Sequence, residues 1–174
     1  MLLGGLFVAG YEKIGLSLTL FFFLIAITLL LALVLYDLTH QMLPYELLVP
    51  FVLISAVSGF SQATASAVVF HTLLVAVVLA GGLALIHVLS RGRMMGLADA
   101  PLTLGLALLV GGAAFSGFIF SFWIGALVGV GILLSRPAGS RIGVEVPFAP
   151  FLAAGFLLAY FTQWNPFMLI AALL

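Results

Sequence analysis

Long apolar stretches separated by short polar links make up most of this chain. An apolar stretch of about 20 residues is typical of a helix that crosses the roughly 30 Å hydrocarbon core of a membrane. We predict six crossing helices, at residues 14–36, 45–60, 67–89, 99–110, a stretch that follows a turn at 111–117 and ends near 134, and 146–161. The pattern therefore predicts an all-α, polytopic membrane protein in which residues 1–174 form a single membrane-embedded domain.

Both ends of the chain depart from this regular pattern. Residues 1–10 are apolar, but a helix of that length is only about 15 Å long and cannot cross a membrane. We interpret them as a half-span, an interfacial helix or a truncated span, followed by a polar break at Tyr11, Glu12 and Lys13. Near the other end, Pro166 is expected to kink or end the last helix, because proline lacks the N–H that a helix interior requires.

The composition agrees with a membrane protein and excludes several kinds of chemistry. Apolar side chains make up 66% of the chain and charged ones 6%, whereas about 25% charged residues are usual in soluble domains. The absence of cysteine excludes disulfides, thiol nucleophiles and thiolate metal sites. The net charge of zero gives no indication of nucleic-acid binding. His71 and His87 lie on one predicted helix but face nearly opposite directions, so we expect no metal site there.

The distribution of basic residues predicts the orientation. Cytoplasmic loops of membrane proteins carry an excess of Lys and Arg. Alternating crossings place four arginines on one side and Lys13 on the other; the four are Arg91, Arg93, Arg136 and Arg141. The arginine side is therefore expected to be cytoplasmic.

The chain contains two aspartates, Asp37 and Asp99, and each lies at the end of an apolar stretch. Ionisable residues in such places are costly and therefore indicate function. The alternating topology places both on the cytoplasmic side at a similar depth. Two neighbouring carboxyl groups can share one proton, so that one acts as a general base and the other as a general acid. The alternative is that each aspartate merely caps a helix, since Asp accepts bonds from the free N–H groups of a first turn.

Other chemistries have weaker support. A serine mechanism could use Ser58 or Ser116, each of which is followed by glycine, with His71 as the base. A small carrier could use the aspartates as proton sites, but no inverted repeat is visible in the sequence. Gly125 and Gly129 form a pair that is typical of close helix packing.

Three motifs occur in chain order and resemble those of the type IV prepilin peptidases. Residues 36–44 read YDLTHQMLP, similar to the family's first aspartate motif, in which Leu-Pro or Ile-Pro follows the Asp at a fixed spacing. Residues 96–99 read GLAD and resemble the GxGD motif. Residues 146–152 read VPFAPFL and resemble the PFGPFL segment that begins the last span. The resemblance covers residues 14–160.

This resemblance implies a membrane aspartic endopeptidase that removes the short basic leader of type IV prepilin-like or pseudopilin-like proteins. The active site would face the cytoplasm from the plasma membrane, with no cofactor or metal, and Asp37 and Asp99 would be the catalytic pair. Substrate-binding or loop-shaping roles would fall to Pro44, Glu46, Gly96, Ala98, Glu145, Pro147 and Phe148. Among these, Glu46 and Glu145 are candidates to receive the Lys or Arg of a leader. The cysteine-rich methyltransferase domain of longer members is not expected, because the chain has no cysteine.

The chain also departs from the family pattern. Ala98 replaces the second glycine of GxGD, Pro101 stands where lysine is usual, and Ala149 replaces the glycine of PFGPFL. These differences motivate an alternative, a non-catalytic membrane scaffold of a pilus or secretion system. Presenilin-like GxGD intramembrane proteases are a second alternative, although their Pro-Ala-Leu motif is not found. We expect Ala98 to have a negative φ, because alanine at positive φ would strain the loop before Asp99.

Overall fold

A computed structural model of the protein describes residues 2–63, 65–92, 95–135 and 147–166. All regular secondary structure in these ranges is helical, which confirms the predicted all-α class. The helices are α1 (Leu2–Ile14), α2 (Leu18–His40), α3 (Tyr45–Ser61), α4 (Ser66–Leu89), α5 (Asp99–Val110), α6 (Ala114–Ser135) and α7 (Ala149–Thr162), with a 3₁₀ turn at Gly111–Ala113 between α5 and α6.

Three segments of the described chain are long and apolar enough to cross a membrane. They are Leu18–His40, Ser66–Leu89 and Asp99–Ile132, the last of which comprises α5, the 3₁₀ turn and most of α6. The helices α3 and α7 are also apolar but shorter. The structure therefore supports a membrane protein with three such segments, which is a coarser statement than the six predicted spans.

The helices run alternately up and down, so the bundle has two distinct ends. At one end, the last turn of α2 meets the first residue of α7 through Asp37 and Ala149, and the last turn of α4 lies beside the loop that leads to Asp99. We call this the aspartate end; α3 also begins there, since it follows α2 after a short link. At the opposite end, α3, α4 and α5 surround a cavity of about 160 Å³ lined by residues such as Gln62 and Thr72.

The short helix α5 lies at the centre of the bundle. It is apolar on all sides, and ten of its twelve residues are buried. A helix buried all round belongs in the interior of a bundle. At 1.5 Å per residue it is only about 18 Å long, and its first residue, Asp99, is buried at the aspartate end.

The N-terminal region differs from the prediction of a polar break at residues 11–13. The helix α1 continues through Tyr11 and Lys13 and ends at Ile14, because the chain turns at Gly15 with a φ of +72°. Lys13 lies over the ring of Tyr160, 4.2 Å from its centroid, and donates a hydrogen bond to the Tyr160 carbonyl oxygen. Lys13 thus packs α1 against α7 at the opposite end. The helix α2 begins at Leu18 rather than residue 14, with Ser17 as its N-cap.

The last helix ends within one residue of its predicted end at 161, but Pro166 does not end it. The helix α7 ends at Thr162, where Gln163 adopts a left-handed conformation with a φ of +56°. The helix therefore ends before Pro166 and for a different reason. Its predicted start at residue 146 lies outside the described residues.

Glycines allow two pairs of helices to approach closely. A Cβ atom at Gly59 in α3 would overlap the carbonyl oxygen of Leu108 in α5. Between α6 and α7, a Cβ atom at Gly155 would overlap the backbone nitrogen of Ser121. In α6, a Cβ atom at Gly125 would make an ordinary contact with Phe148 and Phe151, whereas one at Gly129 would meet nothing within 4 Å. Only the first glycine of the predicted small-residue pair is therefore used in packing.

We expect Gly59→Ala to destabilise the bundle, because the atom it clashes with is backbone and cannot rotate away. The loss in free energy of unfolding should lie at or above the upper end of the about 1–3 kcal/mol that overpacking usually costs. Gly129→Ala is the matched control, since it adds the same methyl group to open space. Thermal unfolding in detergent measures the difference, and equal midpoints for the two variants would contradict the close approach of α3 and α5.

Candidate active site

Asp37 lies in the last turn of α2 and is buried, with 6% of its surface exposed. Its Oδ2 accepts a hydrogen bond from the backbone N–H of Ala149 at 3.1 Å. Ala149 is the first residue of α7, so the carboxyl group lies where helix N–H groups are free and the helix dipole favours negative charge. The first and third motifs, which are 112 residues apart in the chain, therefore meet directly.

The sequence at the start of α7 explains why an N–H group is free to bind Asp37. Pro150 has no N–H, and the N–H groups of Phe151 and Leu152 both donate to the carbonyl oxygen of Phe148. The N–H of Ala149 therefore remains available, and it donates to Asp37. Ala149 itself is fully buried, so its methyl group is accommodated at the position where the resembled motif has glycine.

Asp99 is the first residue of α5 and is also buried, at 7% exposure. Its Oδ2 accepts the N–H of Gly96 at 3.1 Å, and its own N–H donates to the carbonyl oxygen of Gly96 at 3.3 Å. The carboxylate thus turns back to the preceding loop rather than onto the N–H groups of its own helix. An ordinary helix N-cap does the reverse, and the N-cap position of α5 belongs to Ala98, which makes no side-chain cap bond.

The backbone before Asp99 accepts the two unusual residues of this loop. Ala98 has a φ of −72°, which confirms the expectation of a negative φ and means that a glycine is not required there. Pro101 lies in the first turn of α5, where a residue without an N–H loses no intrahelical bond. Neither departure from the resembled motif therefore strains the backbone that carries Asp99.

Both carboxyl groups lie at the aspartate end of the bundle, near enough for the charge of Asp37 to act on Asp99. Among the described residues, each carboxyl group accepts one backbone N–H, which leaves its remaining lone pairs for other partners. Two buried carboxyl groups arranged in this way can hold one proton between them, so the pair can supply a general base and a general acid.

The other predicted site residues are distributed around this pair. Pro44 is the N-cap of α3, and Glu46 follows in its first turn with an exposed side chain. Phe148 is the N-cap of α7 and packs against Phe122 with 5.3 Å between ring centroids. Pro147 directly precedes Phe148 at the same end, and Gly96 binds Asp99 as described. Glu145 lies outside the described residues.

Two contacts at this site were not predicted from the sequence. The first is the N–H of Ala149, which reaches Asp37. The second involves His87, which the sequence suggested only as a rejected metal ligand and which binds the loop before Asp99 through the carbonyl oxygen of Met95. A histidine in the last turn of the helix that precedes the aspartate loop is the signal that could have identified the second contact.

At Ser58, the competing serine mechanism has no geometric support among the described residues. The hydroxyl group of Ser58 is buried and has no hydrogen-bond partner, so it is not bonded to His71, which is exposed on α4. Within the same residues, no three His, Asp or Glu side chains come together to hold a metal ion.

Comparison of the chain with family models, with curated proteins and with solved structures finds no match in any of the three. The candidate site is therefore characterised by its own residues and geometry.

Proposed function

We propose that this protein is a membrane aspartic endopeptidase that cleaves the short basic leader peptide from type IV prepilin-like proteins. The observation that carries the proposal is that two carboxyl groups, Asp37 and Asp99, are buried at the same end of the bundle, where each accepts a helix or loop N–H and the charge of one acts on the other. Burying two acidic side chains at one end of a bundle is costly. Such an arrangement is expected where the pair performs chemistry.

The reaction follows from the shared proton. The ionised carboxyl group removes a proton from a water molecule as the water attacks the carbonyl carbon of the scissile peptide bond. The protonated carboxyl group then donates its proton to the departing amine, and the pair returns to a singly protonated state. No covalent intermediate with the protein is formed, so the mechanism needs no nucleophilic side chain.

The proposed placement in the membrane uses every helix after α1. We propose that α2, α3, α4, α5, α6 and α7 form six crossings, in which the short helices lie beside longer neighbours. Arg91 lies at the aspartate end, just after α4, and Lys13 of α1 lies at the opposite end, against α7. The sequence assigns Arg93, Arg136 and Arg141 to the same side as Arg91. An excess of basic residues marks the cytoplasmic side, so this distribution favours an active site that opens to the cytoplasm of the plasma membrane.

The resemblance to prepilin peptidases and the geometry support each other. The motif at residues 36–44 supplies Asp37, the motif at 96–99 supplies Asp99 and its partner Gly96, and the motif at 147–152 supplies the N–H that binds Asp37. The first and third segments meet through the hydrogen bond between Asp37 and Ala149, and the second brings Asp99 to the same end of the bundle. A scaffold without activity would not require this convergence of acidic groups.

The direct test is a cleavage assay with coexpressed candidate substrates. Each prepilin-like or pseudopilin-like protein would carry a C-terminal tag, so that removal of the leader appears as a smaller tagged product whose new N-terminus is sequenced. The proposal expects one cut at the end of the basic leader. Intact substrates throughout a panel of such proteins, together with a well-folded membrane protein, would favour the scaffold alternative. A cut within a transmembrane segment would favour a presenilin-like protease.

Glu46 is expected to contribute to recognition of a basic leader. Its side chain is exposed at the aspartate end, so it can pair with a Lys or Arg of the substrate without losing its own hydration. Exposed ion pairs contribute about 0.2–1 kcal/mol, so Glu46→Gln should raise KM by up to about fivefold at low salt. The effect should shrink as salt is added, because salt screens exposed charges.

The matched control for this prediction is Glu12→Gln. It removes the same charge from an exposed position on α1, at the opposite end of the bundle. KM should be unchanged in this variant at every salt concentration. If Glu46→Gln also leaves KM unchanged at low salt, Glu46 is a solvated surface charge and the leader is recognised elsewhere.

A further inference from the structure

One peptide group links His87 to Asp99. The carbonyl oxygen of Met95 lies 2.8 Å from Nδ1 of His87, and the N–H of Gly96 lies 3.1 Å from Oδ2 of Asp99. This carbonyl and this N–H belong to the same peptide bond, between Met95 and Gly96. The rigid peptide plane is therefore held from both sides, by a histidine on α4 and by the aspartate at the start of α5.

The contact defines which ring nitrogen of His87 carries the hydrogen. A carbonyl oxygen can only accept a hydrogen bond, so Nδ1 must be the donor. The loop also passes close to the ring: a Cβ atom at Gly92 would lie 3.3 Å from Cε1 of His87, and the N–H of Gly92 donates to the carbonyl oxygen of His87 at 2.9 Å. His87 thus fixes both the start and the end of the loop through its backbone and its side chain.

We propose that His87 is a positioning residue for Asp99, which acts by orienting the Met95–Gly96 peptide group so that its N–H binds the Asp99 carboxylate. This role rests on the proposed function only for its effect on cleavage, because the hydrogen bonds themselves can be measured without a substrate.

The physical reason is that the peptide plane rotates about two soft dihedral angles, ψ of Met95 and φ of Gly96, and glycine restricts its φ less than any other residue does. Gly96 is exposed, so water competes for its N–H and carbonyl groups. With the Met95 carbonyl held by His87, the N–H on the other side of the plane is directed at Asp99. A bond at the carbonyl also polarises the peptide group and strengthens its N–H as a donor. Without His87, the plane is free to rotate and Asp99 loses its fixed partner.

The test compares two substitutions of His87. His87→Asn keeps a side-chain N–H close to the position of Nδ1, whereas His87→Leu fills a similar volume without a donor. His71→Leu is the matched control, since it removes an exposed histidine from the same helix. Hydrogen–deuterium exchange at the Gly96 amide is measured for each protein in detergent, and Asp99→Ala gives the rate expected when the acceptor is missing.

We expect exchange at Gly96 to become about 2- to 10-fold faster in His87→Leu, which corresponds to the loss of one hydrogen bond. It should stay within about twofold of the wild-type rate in His87→Asn and His71→Leu. In the cleavage assay, kcat should fall about 5- to 10-fold in His87→Leu with little change in KM, because a misplaced catalytic group slows the chemical step. His87→Asn should restore most of this loss.

The outcomes separate this inference from the proposed function. If exchange follows the expected order but the wild-type protein cleaves no substrate, the positioning of Asp99 stands and the peptidase proposal fails. If the wild-type protein cleaves its substrate but His87→Leu changes neither exchange nor kcat, the positioning role is overturned. It is also overturned if kcat falls without faster exchange, or if His87→Asn behaves like His87→Leu.

Discussion

Asp37→Asn and Asp99→Asn should each lower the rate of leader cleavage at least about 100-fold, the contribution usual for a general acid or base. Asparagine cannot take up or release the proton that the pair shares. It does keep one side-chain oxygen, which is enough to accept the single backbone N–H that each aspartate receives. The variants should therefore fold, and the loss should report the chemistry.

The double variant provides a further check on this prediction. Residues that act as a unit are strongly non-additive, so the double substitution should be no slower than the slower single one. Ser55→Ala is a suitable control, because it removes another buried polar group whose hydroxyl has no partner; its cleavage rate should be unchanged. Cleavage that survives either asparagine substitution would rule out the aspartic mechanism.

The bounds of α5 could be predicted because residues that start or end helices flank it on both sides. The prediction of residues 99–110 matches α5, since Asp99 and a proline mark its start and glycines follow Val110. The boundary between α1 and α2 was wrong by several residues. Glu and Lys are good helix formers, so polar side chains at 12 and 13 do not break a helix, whereas Gly15 with positive φ does. Polarity was a poorer guide than backbone conformation there.

The candidate site could be predicted only in part, for a physical reason. The alternation of apolar stretches is enough to place Asp37 and Asp99 at one end of a bundle, because each crossing reverses the direction of the chain. Their hydrogen-bond donors are the backbone N–H groups of Gly96 and Ala149. Every residue except proline has such a group, so residue type cannot reveal which one is used. The proline at position 150 is informative only once the start of α7 is known.

The role of His87 was missed for a related reason. Its position was compared with that of His71 on the same helix, where the two face different directions. The relevant partner is Met95, which is eight residues further along the chain and beyond the end of α4. Helical periodicity gives no information across such a loop, because the chain direction changes at Gly92, whose φ is +75°.

Gly96→Ala is expected to lower the cleavage rate about 10- to 100-fold, because it displaces the carboxylate of Asp99 and small displacements of a catalytic group have effects of this size. A Cβ atom at this position would lie 3.3 Å from Oδ2 and 3.8 Å from Cγ of Asp99, and these are its close neighbours among the described residues. Gly96 is not among the glycines with positive φ. Alanine is therefore compatible with the backbone, and its effect should come from crowding the carboxylate rather than from unfolding.

Ala98→Gly is the matched control, since it makes the opposite change two residues away in the same loop. Ala98 has a φ of −72°, so glycine relieves no strain there and only makes the loop more flexible. Its cleavage rate should be slightly lower or nearly unchanged, and the unfolding midpoints of both variants should stay close to that of the wild type. A rate for Gly96→Ala equal to the wild-type rate would show that the close contact with Asp99 is unimportant. A tenfold gain in Ala98→Gly would show instead that the alanine impairs this loop, and would favour the non-catalytic scaffold over the peptidase.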